Sequence, residues 1–315
     1  MSAIETIDLR KEFKNTIAVD GINLEIKKGE VFGLLGPNGA GKTTTISMLC
    51  TILKPTSGTA LVNGFDIVKE QDKVRKSIGI VFQDPSLDER LTGRENLEMH
   101  AALYGVKDRK KRIKEVLELV NLSDKADMLV KTYSGGMKRR LEIARGLTHH
   151  PEILFLDEPT LGLDPQTRSH IWEYIKSLAE KEGITILLTT HYMDEAESLC
   201  DRIAIIDHGK IIALDTPENL KRSLKGDSIV LKVSDVERAK TILGKVKVFD
   251  GRMTVYVKND DKELPRMLYK LKRNRIEVYE ASIRRPTLND VFLSLTGREI
   301  REEENGKSRF MRRGF

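Results

Sequence analysis

The chain has 315 residues, 39% of them hydrophobic and 32% charged, with a formal net charge of +6 and a pI of about 9.1. The length allows two domains, and this balance excludes a disordered or fibrous chain. The basic excess permits contact with anionic lipid or nucleic acid and selects neither. No apolar run approaches the ~18 residues needed to cross a bilayer. The start, MSAIETIDLRKEF, carries no apolar leader, so a cytosolic chain is expected. Cys50 and Cys200 sit in apolar sequence without metal or redox spacing and read as buried free thiols.

In chain order, IETIDLR and INLEIKKGE alternate as strands joined by turns. VFGLLG (31–36) is a continuous apolar run, as in a buried strand. It leads into GPNGAGKTT and a helix, TTTISMLCTIL. The turn PTSG returns the chain to strand in TALVNGFDI, and SIGIVFQ predicts a further strand ending at Gln83. Residues 86–150 read as mostly helical. Within them, DRKKRIKEVLELV places Lys110, Lys111, Arg112 and Lys114 on an amphipathic helix as a solvated face. From ILFLDEP (153–159) through ITILLTTH (184–191) to IAIIDHGKII (203–212), strand and helix alternate again, which predicts a largely parallel sheet flanked by helices. Beyond Lys225 the order becomes βαββαβ, the ferredoxin-like pattern. A short helix, TLNDVFLSLTG, and a polar tail (301–315) follow.

Three segments carry chemistry. Gly36-Pro37-Asn38-Gly39-Ala40-Gly41-Lys42-Thr43 fits G-x-x-x-x-G-K-[ST], between an apolar strand and a helix. Its glycines let backbone N–H groups turn toward a phosphate, and the helix start adds positive potential. Lys42 would reach the β- and γ-phosphates and Thr43 would ligate Mg²⁺. ILFLDEPT ends an apolar strand in two acids. Asp157 at the strand tip suits Mg²⁺, and Glu158 can polarise a water for attack on the γ-phosphate. YSGGMKRRLEIAR (133–145) offers a hydroxyl, Ser134, and two glycines, Gly135 and Gly136, before a helix. It is a second anion grip with no second lysine loop beside it.

Taken in order, these segments resemble the motifs of ABC transporter ATP-binding subunits. The match includes an aromatic at Phe13, the Walker A loop at 36–44, a Q-loop at Gln83 and the signature at 133–137. It continues through Walker B at 153–158, a D-loop at Leu161-Gly162-Leu163-Asp164-Pro165 and a switch histidine at His191. The resemblance implies an α/β P-loop NTPase fold with an antiparallel β subdomain and a helical subdomain (86–150), together covering 1–224. The segment 225–300, a small α+β ferredoxin-like domain, resembles the C-terminal part of daunorubicin-resistance-type exporter ATPases. By that resemblance Phe13 stacks on adenine, while residues 36–43 and Thr44 hold phosphate. Gln83 and His191 join Glu158 in catalysis, with Gln83 also near Mg²⁺, and Asp164 works across a dimer contact. Ser134, Gly135 and Gly136 face the ATP of a second subunit, so ATP and Mg²⁺ are the expected ligands of a head-to-tail homodimer. A separate transmembrane permease is the other expected partner, with the chain peripheral on the cytoplasmic face of the membrane. No nucleic-acid partner is expected: relatives acting on ribosomes carry two modules per chain, and those acting on DNA carry long coiled coils. Tyr133 stands where the family usually has leucine, and Phe13 where many members have tyrosine.

Overall fold

Alternation at the start of the chain builds a long hairpin, β1 (Ser2–Phe13) and β2 (Thr16–Lys27). The computed structural model describes residues 2–83, 86–224, 227–244, 246–249, 252–257 and 260–296. The expected tail 301–315 lies outside them, as does Lys225. After the hairpin come β3 (Val31–Leu35), α1 (Lys42–Leu49), β4 (Ser57–Val62), β5 (Phe65–Asp66), α2 (Gln71–Ser77) and β6 (Ile78–Val81). A helical stretch follows: α3 (Gly93–Leu103), α4 (Arg109–Leu119) and α5 (Gly135–Leu147). Then β7 (Ile153–Asp157), α6 (Pro165–Glu182), β8 (Thr185–Thr190), α7 (Met193–Leu199), β9 (Arg202–Asp207) and β10 (Lys210–Asp215) complete the first of two compact units, which divide between Thr216 and Pro217.

The first unit holds two sheets. Strands β2-β1-β4-β5 form an antiparallel sheet. Strands β10-β9-β3-β8-β7-β6 form the central sheet, parallel except for β10 against β9. The apolar runs predicted as buried strands are its middle: every residue of β3, β7 and β8 is buried. Phe32 and Phe155 are fully buried in the core these strands share with the antiparallel sheet. Register matters most for function. Leu35 lies opposite Thr190, Asp157 opposite Thr189, and Leu156 opposite Val81. The carboxyl ends of four parallel strands therefore align, the edge where open α/β sheets bind ligands.

Several boundaries differ from the sequence reading. The helix after the glycine loop stops at Leu49, because Thr51 takes a left-handed backbone (φ 63°). β6 ends at Val81, two residues before Gln83, and Ser77 belongs to α2. Arg112 leaves the solvated face of α4: its guanidinium donates to the carbonyls of Leu147 (2.6 Å) and Thr148 (3.2 Å), capping the end of α5. Cys50 and Cys200 are buried and free. Among the described residues no helix is long and apolar enough to cross a membrane.

The second unit opens with α8 (Pro217–Ser223), seven residues that the sequence reading had placed in the first domain. Then come β11 (Asp227–Val233), α9 (Val236–Leu243), β12 (Lys247–Phe249), β13 (Arg252–Val257), α10 (Asp260–Arg273), β14 (Val278–Arg284) and α11 (Leu288–Thr296). Its sheet runs β12-β13-β11-β14 with every neighbour antiparallel, which is the ferredoxin-like arrangement. Ile229, Leu231, Met253 and Leu271 form its own core.

Candidate functional site

The loop between β3 and α1 carries Gly36 to Gly41. Gly41 sits at φ 108°, and a Cβ there would lie 2.4 Å from the Ala18 carbonyl oxygen of β2, so only glycine fits. No side chain caps α1, leaving the first-turn N–H groups available to an anion. Lys42, 5% exposed, donates to the carbonyls of Gly36 (2.8 Å) and Pro37 (3.2 Å) and lies 3.1 Å from Glu158 Oε1. Asn38 and Gly39 are exposed, Ala40 is buried, and Thr44 is half-buried. Thr43 Oγ1 donates to Asp157 Oδ1 at 3.3 Å, and Thr189 Oγ1 donates to the same carboxylate oxygen. Phe13, 44% exposed, ends β1 opposite Thr16, two residues before the Ala18 that contacts Gly41; Lys11 Nζ stands 5.0 Å from its ring centre.

Glu158 is buried and holds an unusual left-handed backbone, φ 49°. Its N–H donates to Thr189 O (3.2 Å) and Thr189 Oγ1 (3.1 Å). Its carboxylate bridges Lys42 and His191, whose Nδ1 lies 2.8 Å from Oε2. Burial pushes the Glu158 carboxyl up, but the His191 bond and the Lys42 charge outweigh it and hold the group below the ordinary carboxylate range. It is ionised at neutral pH. Strand register thus brings the loop lysine, both acids and the strand-end histidine together. Gln83, exposed, follows β6 on the same edge. The threonine and aspartate oxygens suit a hard, oxygen-seeking cation such as Mg²⁺, and the loop suits a polyphosphate.

The second grip lies elsewhere on the chain. Ser134 is the N-cap of α5, accepting from Met137 N–H at 3.3 Å, and Gly135 and Gly136 form the helix's first turn. Ser134 and Gly135 are exposed. Gly136 is buried: a Cβ there would lie 2.4 Å from Thr167 Cγ2, so α5 and α6 approach closely at that point. Asp164 caps α6, accepting from Thr167 N–H (3.0 Å) and Thr167 Oγ1 (2.6 Å). Tyr133 now has a reason. It is 5% exposed, its hydroxyl donates to Lys125 O at 2.6 Å, and it packs where Gly93 has no side chain. A tyrosine pins the signature to the helical region by a bond that leucine does not make. Tyr133→Phe is expected to lower stability by about 1 kcal/mol, read by thermal denaturation, while the fold around Ser134 is kept.

Around the strand-end acids, sequence reading missed three buried charged residues. Arg139 and Glu142 pair on the inner face of α5, and Glu195 lies fully buried in α7. Glu195 Oε1 accepts from Thr160 Oγ1 (2.7 Å) and Trp172 Nε1 (3.0 Å), tying the turn after β7 to the strand-end histidine loop. Burial raises its pKa against the bonds from Thr190, Thr160 and Trp172. For Arg139 and Glu142 the available signal was charge three residues apart on one helix face, with apolar Ile143 four residues beyond Arg139 on that face.

Comparison with known proteins agrees with this geometry. Residues 19–161 match the family model described as "ABC transporter", and residues 216–296 match that of the "ATP-binding protein DrrA1-3-like, C-terminal domain". The chain is 43% identical to the daunorubicin/doxorubicin resistance ATP-binding protein DrrA of Streptomyces peucetius, over 94% of this chain and 92% of that one. It is 41% identical to the linearmycin resistance ATP-binding protein LnrL of Bacillus subtilis (strain 168), over 95% and 100%. Among solved structures, cbiO1 from Clostridium perfringens aligns with TM-score 0.65 at 33% identity, covering 70% of this chain and 90% of that one. A dimeric, post-hydrolysis state of the cassette MJ0796 bound to ADP and Pi aligns with TM-score 0.62 at 30% identity, covering 68% and 98%. The phosphate loop, the paired acids and the separate helix-borne grip, carried through to the C-terminal domain, place this chain in the family of ABC transporter ATP-binding proteins, as an ATPase subunit of the DrrA-like branch.

Proposed function

We propose that two copies of this chain close head to tail around two ATP molecules, and that closure powers an exporter through a separate membrane permease. The observation carrying this reading is the split of the phosphate-binding groups. Lys42, Asp157, Glu158 and His191 gather at the sheet edge, while Ser134 and Gly135 stand exposed on the start of α5. A second copy would bring the missing half.

In this reading the loop N–H groups and Lys42 hold the phosphates, and Phe13 offers its exposed face to adenine. Mg²⁺, held by Thr43 and Asp157 with Gln83 nearby, would neutralise charge on the phosphate oxygens. Glu158, ionised and buried, orients the attacking water and takes its proton, with His191 fixing the carboxylate. Ser134 and the first-turn N–H groups of α5 contact the partner's nucleotide. Loss of the γ-phosphate removes those contacts and lets the copies part.

The permease would dock near Gln83 and the helical region, where Met99 and Leu103 of α3 are exposed. Docked so, the chain would sit on the cytoplasmic face of the membrane, and the drug-resistance names of its relatives favour export. Affinity purification from native membranes is expected to carry a polytopic membrane protein with the chain. Repeated recovery of the chain alone would sink the permease assignment.

A further inference from the structure

Arg139 lies just over one turn beyond Ser134 on α5 and uses all five of its N–H donors. Nε donates to Pro159 O (2.7 Å). Nη1 donates to Phe82 O (2.6 Å) and Glu142 Oε2 (3.0 Å), and Nη2 donates to Asp157 O (3.0 Å) and Glu158 O (3.1 Å). The residue is 7% exposed and Glu142 is 1% exposed. The other Glu142 oxygen accepts from Ser86 N–H at 2.9 Å. One buried ion pair therefore fastens α5 to the turn after β7 and to both flanks of Gln83.

This placement bears on Glu158. A left-handed, non-glycine backbone costs about 1–3 kcal/mol and persists only where its surroundings over-determine it. Thr189 holds the Glu158 N–H, and Arg139 holds the Glu158 carbonyl together with those of the residues on either side. The same helix presents Ser134 at its start.

We propose that Arg139 is a positioning residue: it couples the grip that Ser134 presents to the partner's nucleotide with the setting of Glu158 and Gln83 in its own subunit. The proposal rests on the head-to-tail sandwich described above. A shift of α5 on gripping is passed through the rigid fork to the carbonyls of Phe82, Asp157, Glu158 and Pro159. Occupancy of one site then sets the catalytic geometry of the other. Lysine keeps the charge beside Glu142 but has three donors and no planar fork, so it cannot hold all five acceptors.

The test compares wild type with Arg139→Lys and with the double variant Arg139→Met/Glu142→Leu. The double variant removes both buried charges together, a change that is often tolerated. Each is measured for melting, for binding of a fluorescent ATP analogue, and for ATPase rate against ATP concentration. For Arg139→Lys, kcat is expected to fall by about 10–100-fold, as for a small misplacement of reacting groups. Analogue binding should stay within about threefold, because Lys42 and its loop are untouched. The Hill coefficient is expected to drop from near two toward one in both variants. A folded Arg139→Lys with wild-type kcat and cooperativity would overturn the proposal. So would a loss that merely tracks the folded fraction, or cooperativity restored in the double variant. A wild-type Hill coefficient of one, with no ATP-dependent dimer, would bring down the sandwich and this coupling together. A cooperative wild type beside an equally cooperative Arg139→Lys would bring down the coupling alone.

Discussion

Glu158→Gln is expected to lower kcat by about 10²–10⁴-fold, the range for loss of a positioned general base, while ATP binds at least as tightly as to wild type. The reason lies in what Glu158 does before nucleotide arrives. Its carboxylate is 3.1 Å from Lys42 Nζ and neutralises the charge that must face phosphate. Phosphate and Glu158 compete for that ammonium. Glutamine keeps the shape, removes the negative charge and relaxes the competition, so binding gains as turnover is lost. In the proposed sandwich the nucleotide-bound chain should then persist as a dimer, because the γ-phosphate that would bridge the copies is not removed. Sedimentation at saturating ATP and Mg²⁺ reads this directly. A monomer under those conditions, or turnover near wild type, would contradict the assignment. The pH dependence follows the sign of the shift. Glu158 is held below its ordinary value of 4.5, so its pairing stabilises the ligand-free fold fully above that pH. The contribution is lost as pH falls through the lowered native value.

Most of the central architecture was legible because its strands are buried on both faces. VFGLL and ILFLD are continuous apolar runs, and polarity returns only where the strand leaves the sheet. The apolar pattern alone places Gly36 and Glu158 at strand ends. The ferredoxin-like order was legible for a different reason, from alternation and turns, since β14 is largely exposed rather than buried on both faces. Three things were not. The left-handed backbone of Glu158 is fixed by Thr189 and Arg139, residues distant in sequence. Arg112 looked solvated because its own helix is basic, but the end of α5 supplies its acceptors. Tyr133 looked like an unexplained departure because its partners, Lys125 O and the bare backbone of Gly93, are specified by folding of the helical region. In each case the deciding interaction is a side chain meeting a remote backbone group, which local pattern does not encode.

Lys42→Ala is expected to have two effects that a double variant separates. The first is on the ligand-free fold. Lys42 and Glu158 are 5% and 6% exposed at their side chains. Breaking a buried pair from one side leaves an uncompensated charge and typically costs about 3–5 kcal/mol. His191 remains beside Glu158 at 2.8 Å, so the loss should fall near the low end, about 3 kcal/mol. Adding Glu158→Gln removes the stranded charge, and the double variant should recover most of that loss in urea denaturation. The second effect is on nucleotide. Lys42 supplies a charged donor inside a loop whose other donors are backbone N–H groups, and its removal should weaken ATP binding by about 100-fold or more. Restoring stability through Glu158→Gln should not restore binding, because the cation is still missing. If the double variant stays as unstable as Lys42→Ala, then the bonds from Lys42 to Gly36 O and Pro37 O, rather than the ion pair, hold the empty loop together. If the double variant recovers ATP affinity, the loop N–H groups alone grip phosphate and Lys42 serves mainly to neutralise Glu158.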